Sequence, residues 1–420
     1  MLKIDITKAY DMVDWSFLKK ILELFGFPSK FVHWIMACVT SAHFFVLING
    51  SLEGYFKSNR GLRQGDPISP YLFTLVMEVL SRILGQVRQS NEFVFHPKCA
   101  GISLSHLMFA DDIIIFSKAD LGSFMKIKEA LSLFHSWSGL EVNGSKSTIY
   151  FGGCGDEDQA VFSMAVGINS GQLPFSYLGV LLDDRSLRRS AYDGIVEKMT
   201  AKIKSWTNRC LSYAGRLVLV KHVLSSICSY WMRVLLFPKF VLKKVSAICR
   251  SFLWSGLSSV KKNLVAWKTV TKTKEEGGLG IKNIFFFNKA LTLKRVWDVC
   301  LDKDALWIRW MHTYFFNNQS IWEVNEKNHH SWVLKNILRL RQDAQKCIMI
   351  DDSGEYSWAN DNNPFSAKGA YELMVESEEK VNWNNLVWNG VAHSKHSFCT
   401  WLAIQKRLYT RDRIWGLEED

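Results

Sequence analysis

The sequence predicts an α+β fold for its first 184 residues, and three observations predict it. The opening run Met1-Leu2-Lys3-Ile4-Asp5-Ile6 alternates with the two-residue period of a strand. Two hairpin signals follow, Asn49-Gly50 and Asp111-Asp112, each set between apolar runs. Helical periodicity fills the intervals, so the order reads β–αα–ββ–α–ββ–α–β. Strands and helices come in clusters rather than in regular alternation, which is the mark of the α+β class.

The elements take their bounds from local chemistry. Asp14 is placed to cap a helix from Trp15 to Phe25, which Gly26 closes with Pro28 beyond it. A second helix runs from Ser29 to Thr40. Phe44 to Asn49 is a strand, and Asn49-Gly50 turns it back into Gly54-Tyr55-Phe56. The loop Arg60-Gly61-Leu62-Arg63-Gln64-Gly65-Asp66-Pro67-Ile68-Ser69-Pro70 enters a helix ending near Leu84. His106 to Phe116 forms the acidic hairpin, and a helix spans Leu121 to Trp137. Leu140 to Ser147 begins a further hairpin, and Phe175 to Leu182 is a short turn-strand unit. From 190 to 300 the pattern is helical, with Val218 to Leu235 and Phe240 to Trp254 as long segments. Gly277-Gly278-Leu279-Gly280 is a turn that lacks the Gly-Lys-Ser/Thr ending of a phosphate loop. Asp351-Asp352-Ser353-Gly354 and Asp361-Asn362-Asn363-Pro364 mark a linker, with a small segment, 366–420, after it.

Composition narrows the function. At 420 residues with 48% hydrophobic content the chain has material for two or three cores. Nine cysteines, odd in number and without a C-x-x-C pair, argue for a reducing compartment over a disulfide framework. No signal peptide opens the chain and no apolar run is long enough for a bilayer, so an intracellular protein, nuclear or cytoplasmic, is expected. The net charge of +12 is concentrated: residues 185–300 carry 23 Lys and Arg against 5 Asp and Glu. Such a block, rich in aromatics, fits a phosphate backbone, and its plain alternative is a solvated lysine face.

The chemistry centres on Phe109-Ala110-Asp111-Asp112. Adjacent carboxylates flanked by apolar strands repel one another and favour a divalent cation, unless they are an ordinary Asp-Asp turn. Asp5, at the end of another strand, could meet them on one sheet. Carboxylates from two strands are what two-cation nucleotidyl transfer requires, and oxygen ligands suit Mg²⁺. In the preceding loop Arg63 and Gln64 supply donors, and Gly65 permits close backbone approach.

These stretches resemble reverse transcriptases in five places and in order: Lys3 to Asp11, Gly61 to Pro70, Phe109 to Asp112, Gly139 to Asn143 with Lys146-Ser147, and Tyr177-Leu178-Gly179. The nearest resemblance is to non-LTR (LINE-type) retrotransposon proteins of plants. It extends downstream through Ala214-Gly215-Arg216-Leu217, Phe252-Leu253-Trp254-Ser255-Gly256 and the Gly277 turn. It implies a right-hand polymerase palm over 1–184, a basic helical thumb or connector over 185–300, and a helical connector and linker over 301–365. Residues 366–420, with Trp388, Phe398, Trp401 and Leu408 to Arg413, would begin the zinc-binding region of such elements.

The resemblance also implies roles. Asp5, Asp111 and Asp112 would bind Mg²⁺ or Mn²⁺, with the Ile6 carbonyl a further ligand. Tyr10 would exclude a ribose 2′-hydroxyl, while Arg63, Gln64, Gly65 and Phe109 would contact nucleotide and template. Lys146 would neutralise or protonate pyrophosphate, and Tyr177, Leu178 and Gly179 would grip the primer. Asp11 and Asp66 are read as caps or ion-pair partners. RNA template, DNA primer or target and deoxynucleoside triphosphates are the implied partners, with no membrane.

The pattern is expected to be cut at both ends. No fingers precede Asp5, so its strand is expected to lack a partner and fray. Weak or no polymerisation by the isolated chain follows, and the alternative reading is an inactive remnant that binds nucleic acid. The usual zinc ligands would fall beyond residue 420, so zinc is not expected here. His393, His396 and Cys399 share one helical face but lack a fourth ligand, and His396 and Cys399 are read as packing residues.

Overall fold

The computed structural model describes residues 1–183, 189–206, 211–257, 263–301, 304–317, 319–328, 330–350, 356–359 and 365–408. The expected domain boundary at 184–185, both four-residue linker runs, and Tyr409 to Arg413 lie outside the described residues. The chain forms two compact units, 1–178 and 179–420.

In the first unit, β1 (Leu2–Ile4) leads through the short helix α1 (Ala9–Met12) to α2 (Trp15–Leu24) and α3 (Ser29–Thr40). The capping reading holds: the Asp14 carboxylate accepts from Phe17 N at 2.8 Å at the start of α2. The strands β2 (His43–Ile48) and β3 (Ser51–Lys57) form a separate hairpin, followed by α4 (Ser69–Val87). The acidic hairpin comprises β4 (His106–Phe109) and β5 (Asp112–Ile115). Helix α5 (Leu121–Ser138) ends at Gly139, whose φ of 75° and close fit favour glycine; a Cβ there would sit 2.9 Å from the Met12 carbonyl. β6 (Thr148–Tyr150), α6 (Asp156–Val166), β7 (Ser170–Gly171) and β8 (Phe175–Tyr177) complete the unit.

Five of these strands make one sheet in the order β4-β5-β1-β6-β7. β1 is its middle strand, antiparallel to both β5 and β6. The expectation that the Asp5 strand frays is therefore corrected: it is paired on both edges, by segments more than 100 residues later in sequence. Leu2, Ile4, Ile113, Ile115 and Ile149 point to one face and enter a core with α2, α4 and α5. By the two-residue period, Lys3, Asp5, Asp112, Ile114, Leu107 and Phe109 lie on the other face.

Two local expectations fail here. Leu140 to Ser147 does not begin a hairpin. Val142 bridges to Ile6, the turn 143–147 closes on the end of β1, and β6 pairs with β1 and, in parallel, with β7. The Asn143 side chain makes this turn by accepting from Ser145 Oγ at 2.7 Å and Lys146 N at 3.2 Å. Helix α6 was not anticipated, since none of its residues is fully buried and its periodicity is weak; three acids in its first turn favour it through the helix dipole.

The second unit is predominantly helical. After β9 (Val180–Leu182) come α7 (Asp193–Trp206), α8 (Tyr213–Leu219), α9 (Ser225–Val234), α10 (Lys239–Ser255), α11 (Trp267–Val270) and α12 (Ile284–Cys300). A π-helical turn, Val220–Leu224, joins α8 to α9, so the helix expected from Val218 starts earlier and carries a bulge. Further on are α13 (Leu306–Met311), α14 (Trp332–Arg339), α15 (Arg341–Ala344), the strand pair β10 (Ile348–Ile350) and β11 (Tyr356–Trp358), α16 (Ala367–Met374), α17 (Asn384–Val387) and α18 (Ser394–Ile404).

Two cores share α12: Leu291 belongs to one, and Ala290, Leu293 and Val296 to the other. The segment from 366 packs into the basic helices. Buried Trp401 donates to the Gly277 carbonyl at 2.8 Å, and Phe398 stacks on Tyr213 at 5.5 Å. Gly278 is fixed by close approach, because a Cβ there would lie 2.3 Å from the Lys272 carbonyl oxygen. Some of the positive charge is used internally. Half-buried Arg295, for example, donates to the Arg233 carbonyl at 3.0 Å and also to Val234, at the end of α9. Among the described residues no helix is long and apolar enough to cross a membrane.

Candidate active site

The register that pairs Ile4 with Ile113 continues to place Asp5 beside Asp112 on adjacent strands. Phe109 pairs with Asp112, so Ala110 and Asp111 are the two turn residues. Ala110 takes a φ of 53°, a left-handed conformation that costs a residue with a Cβ about 1–2 kcal/mol. Asp5 and Asp112 are half-buried and Asp111 is exposed at the tip. Burial pushes the Asp112 carboxyl above its ordinary value, and the charges of Asp111 and Asp5 push the same way against Lys3. The three acids are thus electrostatic neighbours, and the crowding is unfavourable without a cation. Among the described residues no three such side chains form a ready-made cage for a metal ion.

The backbone around Asp5 is held firmly. Its N–H donates to Ser147 Oγ at 3.0 Å, and its carbonyl accepts from Asn143 N at 2.8 Å. Ser147 is buried. Ile6 is fixed by its bridge to Val142, and Thr7 N donates to the Glu141 carbonyl at 2.9 Å. Ser147, Asn143 and Lys3 lie within the motifs quoted above, but no role was attached to them; the first two bond the Asp5 backbone, and the Lys3 charge acts on Asp112.

Two tyrosines adjoin the acids. Tyr10 stacks on Phe73 with centroids 4.6 Å apart, and burial with the Asp111 charge pushes its phenol up. Tyr177 is half-buried, and burial with the Asp112 charge pushes its phenol up. β8 lies over the acidic face, since Lys3 Nζ donates to the Ser176 carbonyl at 3.0 Å and Phe175 stacks on Tyr150 at 4.4 Å. Leu178 (φ 48°) and Gly179 (φ 75°) turn the chain at the boundary of the two units.

The glycine loop stands next to Tyr10. Leu62 N donates to the Tyr10 carbonyl at 2.6 Å, and Gly61 N to that of Val13 at 2.8 Å. A Cβ on Gly61 would sit 2.6 Å from the Asp11 carbonyl, which explains that glycine. Gln64 Nε2 donates to Asp11 Oδ1 at 3.2 Å, so Asp11 orients a candidate nucleotide contact. Asp66 Oδ1 accepts from Ile68 N at 3.3 Å, a turn ahead of α4 and not a cap on it, since Ile68 is the N-cap residue and no side chain caps the helix. Arg63 and Gln64 line a cavity of about 770 Å³ with Lys8, Asp11, Phe44 and Phe56. Gly65 (φ 90°) and Phe109 are exposed. Lys146 is exposed on the turn beside Ser147, and among the described residues its side chain makes no hydrogen bond or ion pair with the acids.

A sheet that presents acids from two adjacent strands, roofed by a tyrosine-bearing strand, has the organisation of a polymerase palm. Comparison with known proteins makes the class specific. Residues 1–182 match the family described as reverse transcriptase (RNA-dependent DNA polymerase), and residues 365–418 match "zinc-binding in reverse transcriptase". The Pol polyprotein of the type-2 retrotransposable element R2DM of Drosophila melanogaster is 24% identical over 305 residues, 70% of this chain and 28% of that one. An uncharacterized 149 kDa protein of transposon TX1 from Xenopus laevis is 26% identical over 283 residues, 67% of this chain and 21% of its own length. A putative ribonuclease H protein of Arabidopsis thaliana is 35% identical over 124 residues, 29% of this chain and 20% of its own. The chain thus spans about a fifth to a quarter of the length of these relatives. It belongs to the reverse transcriptase family of non-LTR (LINE-type) retrotransposons.

The second match runs against the expectation that the chain holds no zinc. His393 accepts from Lys395 N at 3.3 Å at the start of α18, and His396 and Cys399 are exposed. The expectation that the last two pack beside Phe398 and Trp401 is therefore corrected: helical rotation buries those aromatics and leaves His396 and Cys399 in solvent.

Proposed function

We propose that the chain is the polymerase module of such an element, adding deoxynucleotides to a primer 3′-hydroxyl under the direction of an RNA template. The observation that carries this reading is the placement of Asp5, Asp111 and Asp112 at one end of a sheet, where burial first, and then the charges of Asp111 and Asp5, push the Asp112 carboxyl above its ordinary value. Three neighbouring carboxylates with unfavourable mutual charge fit a pair of divalent cations, Mg²⁺ or Mn²⁺. Bound there, the cations supply activation of the primer hydroxyl and neutralisation of the departing pyrophosphate.

In this reading Ser147 and Asn143 hold the Asp5 backbone, and the Ile6 carbonyl follows it into the site. Tyr10, fixed by Phe73, stands where a 2′-hydroxyl would have to fit. Gln64 meets the nucleotide, oriented by Asp11, with Arg63, Gly65 and Phe109 around it and Lys146 near the pyrophosphate. Tyr177, Leu178 and Gly179 grip the primer, and the basic block 185–300 serves as a thumb on the duplex. A zinc ion held by the region matched at 365–418 and an intracellular setting belong to the same reading.

Primer extension on poly(rA)/oligo(dT) with Mg²⁺ or Mn²⁺ tests it. Metal-dependent extension should fall about a hundred- to a thousandfold in Asp111→Asn, the scale of losing one essential charge-stabilising group. Salt-dependent binding of the primer–template with no extension at any metal concentration would sink the catalytic reading and leave a nucleic-acid-binding protein.

A further inference from the structure

A second cavity, of about 440 Å³, lies wholly within the second unit, along the helix from Tyr213 to Val234. That helix opens into its π turn at Val220–Leu224, where Ser225 N donates to the Val220 carbonyl. Such bulges re-aim side chains and recur at functional sites. The bulge contains Lys221 and His222, both of which line the cavity.

Lys221 is half-buried, and among the described residues its ammonium has no hydrogen-bond acceptor. Burial pushes its pKa down to about 8, and the neighbouring charge that adds to this is another cation, Lys274. A half-buried ammonium without a carboxylate is costly, and an anion would complete it. A second ammonium, that of Lys282, lines the same cavity 4.2 Å from the Phe287 ring centroid.

The remaining lining is of two kinds. Ser225, Ser226 and Ser229 each donate their own hydroxyl proton to a helix carbonyl, at 2.8, 2.8 and 2.9 Å. Their oxygens keep lone pairs for donors on a ligand. Met232, Cys249 and Ile281 are buried and apolar, and the Trp267 ring is half-buried beside them. Cations, a row of acceptors and an apolar floor thus meet in a volume within the range of small-ligand sites, roughly 300–1,000 Å³.

We propose that this cavity binds a nucleoside phosphate unit, with the phosphate on Lys221 and Lys282, sugar hydroxyls donating to the serine oxygens, and the planar base against the apolar floor. The shared chemistry is a phosphate on a sugar that bears a flat ring, presented by a free mononucleotide or by the phosphorylated end of a strand. The site is separate from the carboxylates and requires no catalysis there.

The test is calorimetric titration of the full chain in EDTA, which keeps metal–nucleotide complexes from the acidic site. The probes are adenosine monophosphate, adenosine, and a short oligo(dA) with and without a 5′-phosphate. Adenosine monophosphate should bind one to one and at least tenfold more tightly than adenosine. Lys221→Met should weaken it at least tenfold while melting no lower than the unmodified protein, and Lys221→Arg should retain most of the affinity. A 5′-phosphorylated oligonucleotide that binds tighter than the mononucleotide assigns the strand end; equal affinity assigns the free nucleotide. Adenosine and its monophosphate binding alike, or unchanged affinity in a folded Lys221→Met, would overturn the proposal. Neither result depends on primer extension.

Discussion

The first unit holds two β-hairpins in opposite surroundings. In β2–β3 the turn is Asn49-Gly50, with left-handed φ of 51° and 90°, and every strand residue is exposed. In β4–β5 the turn is Ala110-Asp111, and Ile113, Ile114 and Ile115 are at most 3% exposed. The difference is one neighbour: β5 pairs with β1, whereas β2–β3 is a two-stranded sheet by itself. A turn signal makes a hairpin; a third strand makes it a rigid base for chemistry. The apolar side chains of β2–β3, Leu47 at 67% and Leu52 at 68% exposed among them, make a surface patch, while those of β5 hold an acidic tip in place.

The largest stability contrast follows directly. Ile113→Ala removes a fully buried side chain from the core face of β5 and should cost about 2–5 kcal/mol, whereas Leu47→Ala should stay within about 0.5 kcal/mol. Urea denaturation of the two variants measures both. Equal losses would mean that β2–β3 is covered in solution, and the comparison would break.

What could be read from the sequence divides along the same line. The hairpin at Asn49-Gly50, the capped helix at Asp14 and the acidic tip are short-range features; the first two are where their residues put them, and the turn of the third falls one residue early, at Ala110-Asp111. The grouping of Asp5 with Asp111 and Asp112 was legible because strand ends and two-cation chemistry constrain one another. The partners of β1 were not, because β5 and β6 are brought to it by pairing across more than 100 residues. Ser147 went unread for the same reason: its role is a single 3.0 Å bond to a residue 142 positions away. In the second unit, Trp401 and Gly277 meet across 124 positions, and nothing local in either stretch announces it. The exposed flank of α18 was misread because i, i+3, i+6 spacing defines a face without saying which way it looks.

A middle-sized effect tests the acidic tip itself. The folded Asp112 carboxyl titrates above its ordinary 3.8, so the native state holds a proton that the unfolded chain has released. In that window the native state binds more protons, and its stability falls as pH rises. Asp112→Asn stays neutral and escapes the penalty. In EDTA the variant should match the unmodified protein below pH 3.8 and exceed it by neutral pH, and Mg²⁺ should narrow the gap by stabilising the unmodified protein alone. Chemical denaturation at a series of pH values follows this. A gap that does not change with pH would mean that neither burial nor the neighbouring acids raise the folded carboxyl, and the site would lose its physical basis.

The smallest effect compares the two turns. Gly50 at φ 90° suits its conformation, and Gly50→Ala should cost the hairpin about 1–2 kcal/mol. Since β2–β3 contributes little buried surface, that cost should appear as faster hydrogen exchange in its own strands, not in the global transition. Ala110 is the reverse case, an alanine held at φ 53°. Ala110→Gly relieves the strain but adds unfolded-state entropy, for a net gain of about 0.5–1 kcal/mol. Because β5 is part of the sheet, this gain should appear in the global denaturation midpoint. If the strain serves to aim Asp111, the same variant should extend primers more slowly even as it melts higher. A variant that is more stable and equally active would show that Ala110 is a tolerated misfit, and that β1 and Ser147 alone fix the geometry of the acids.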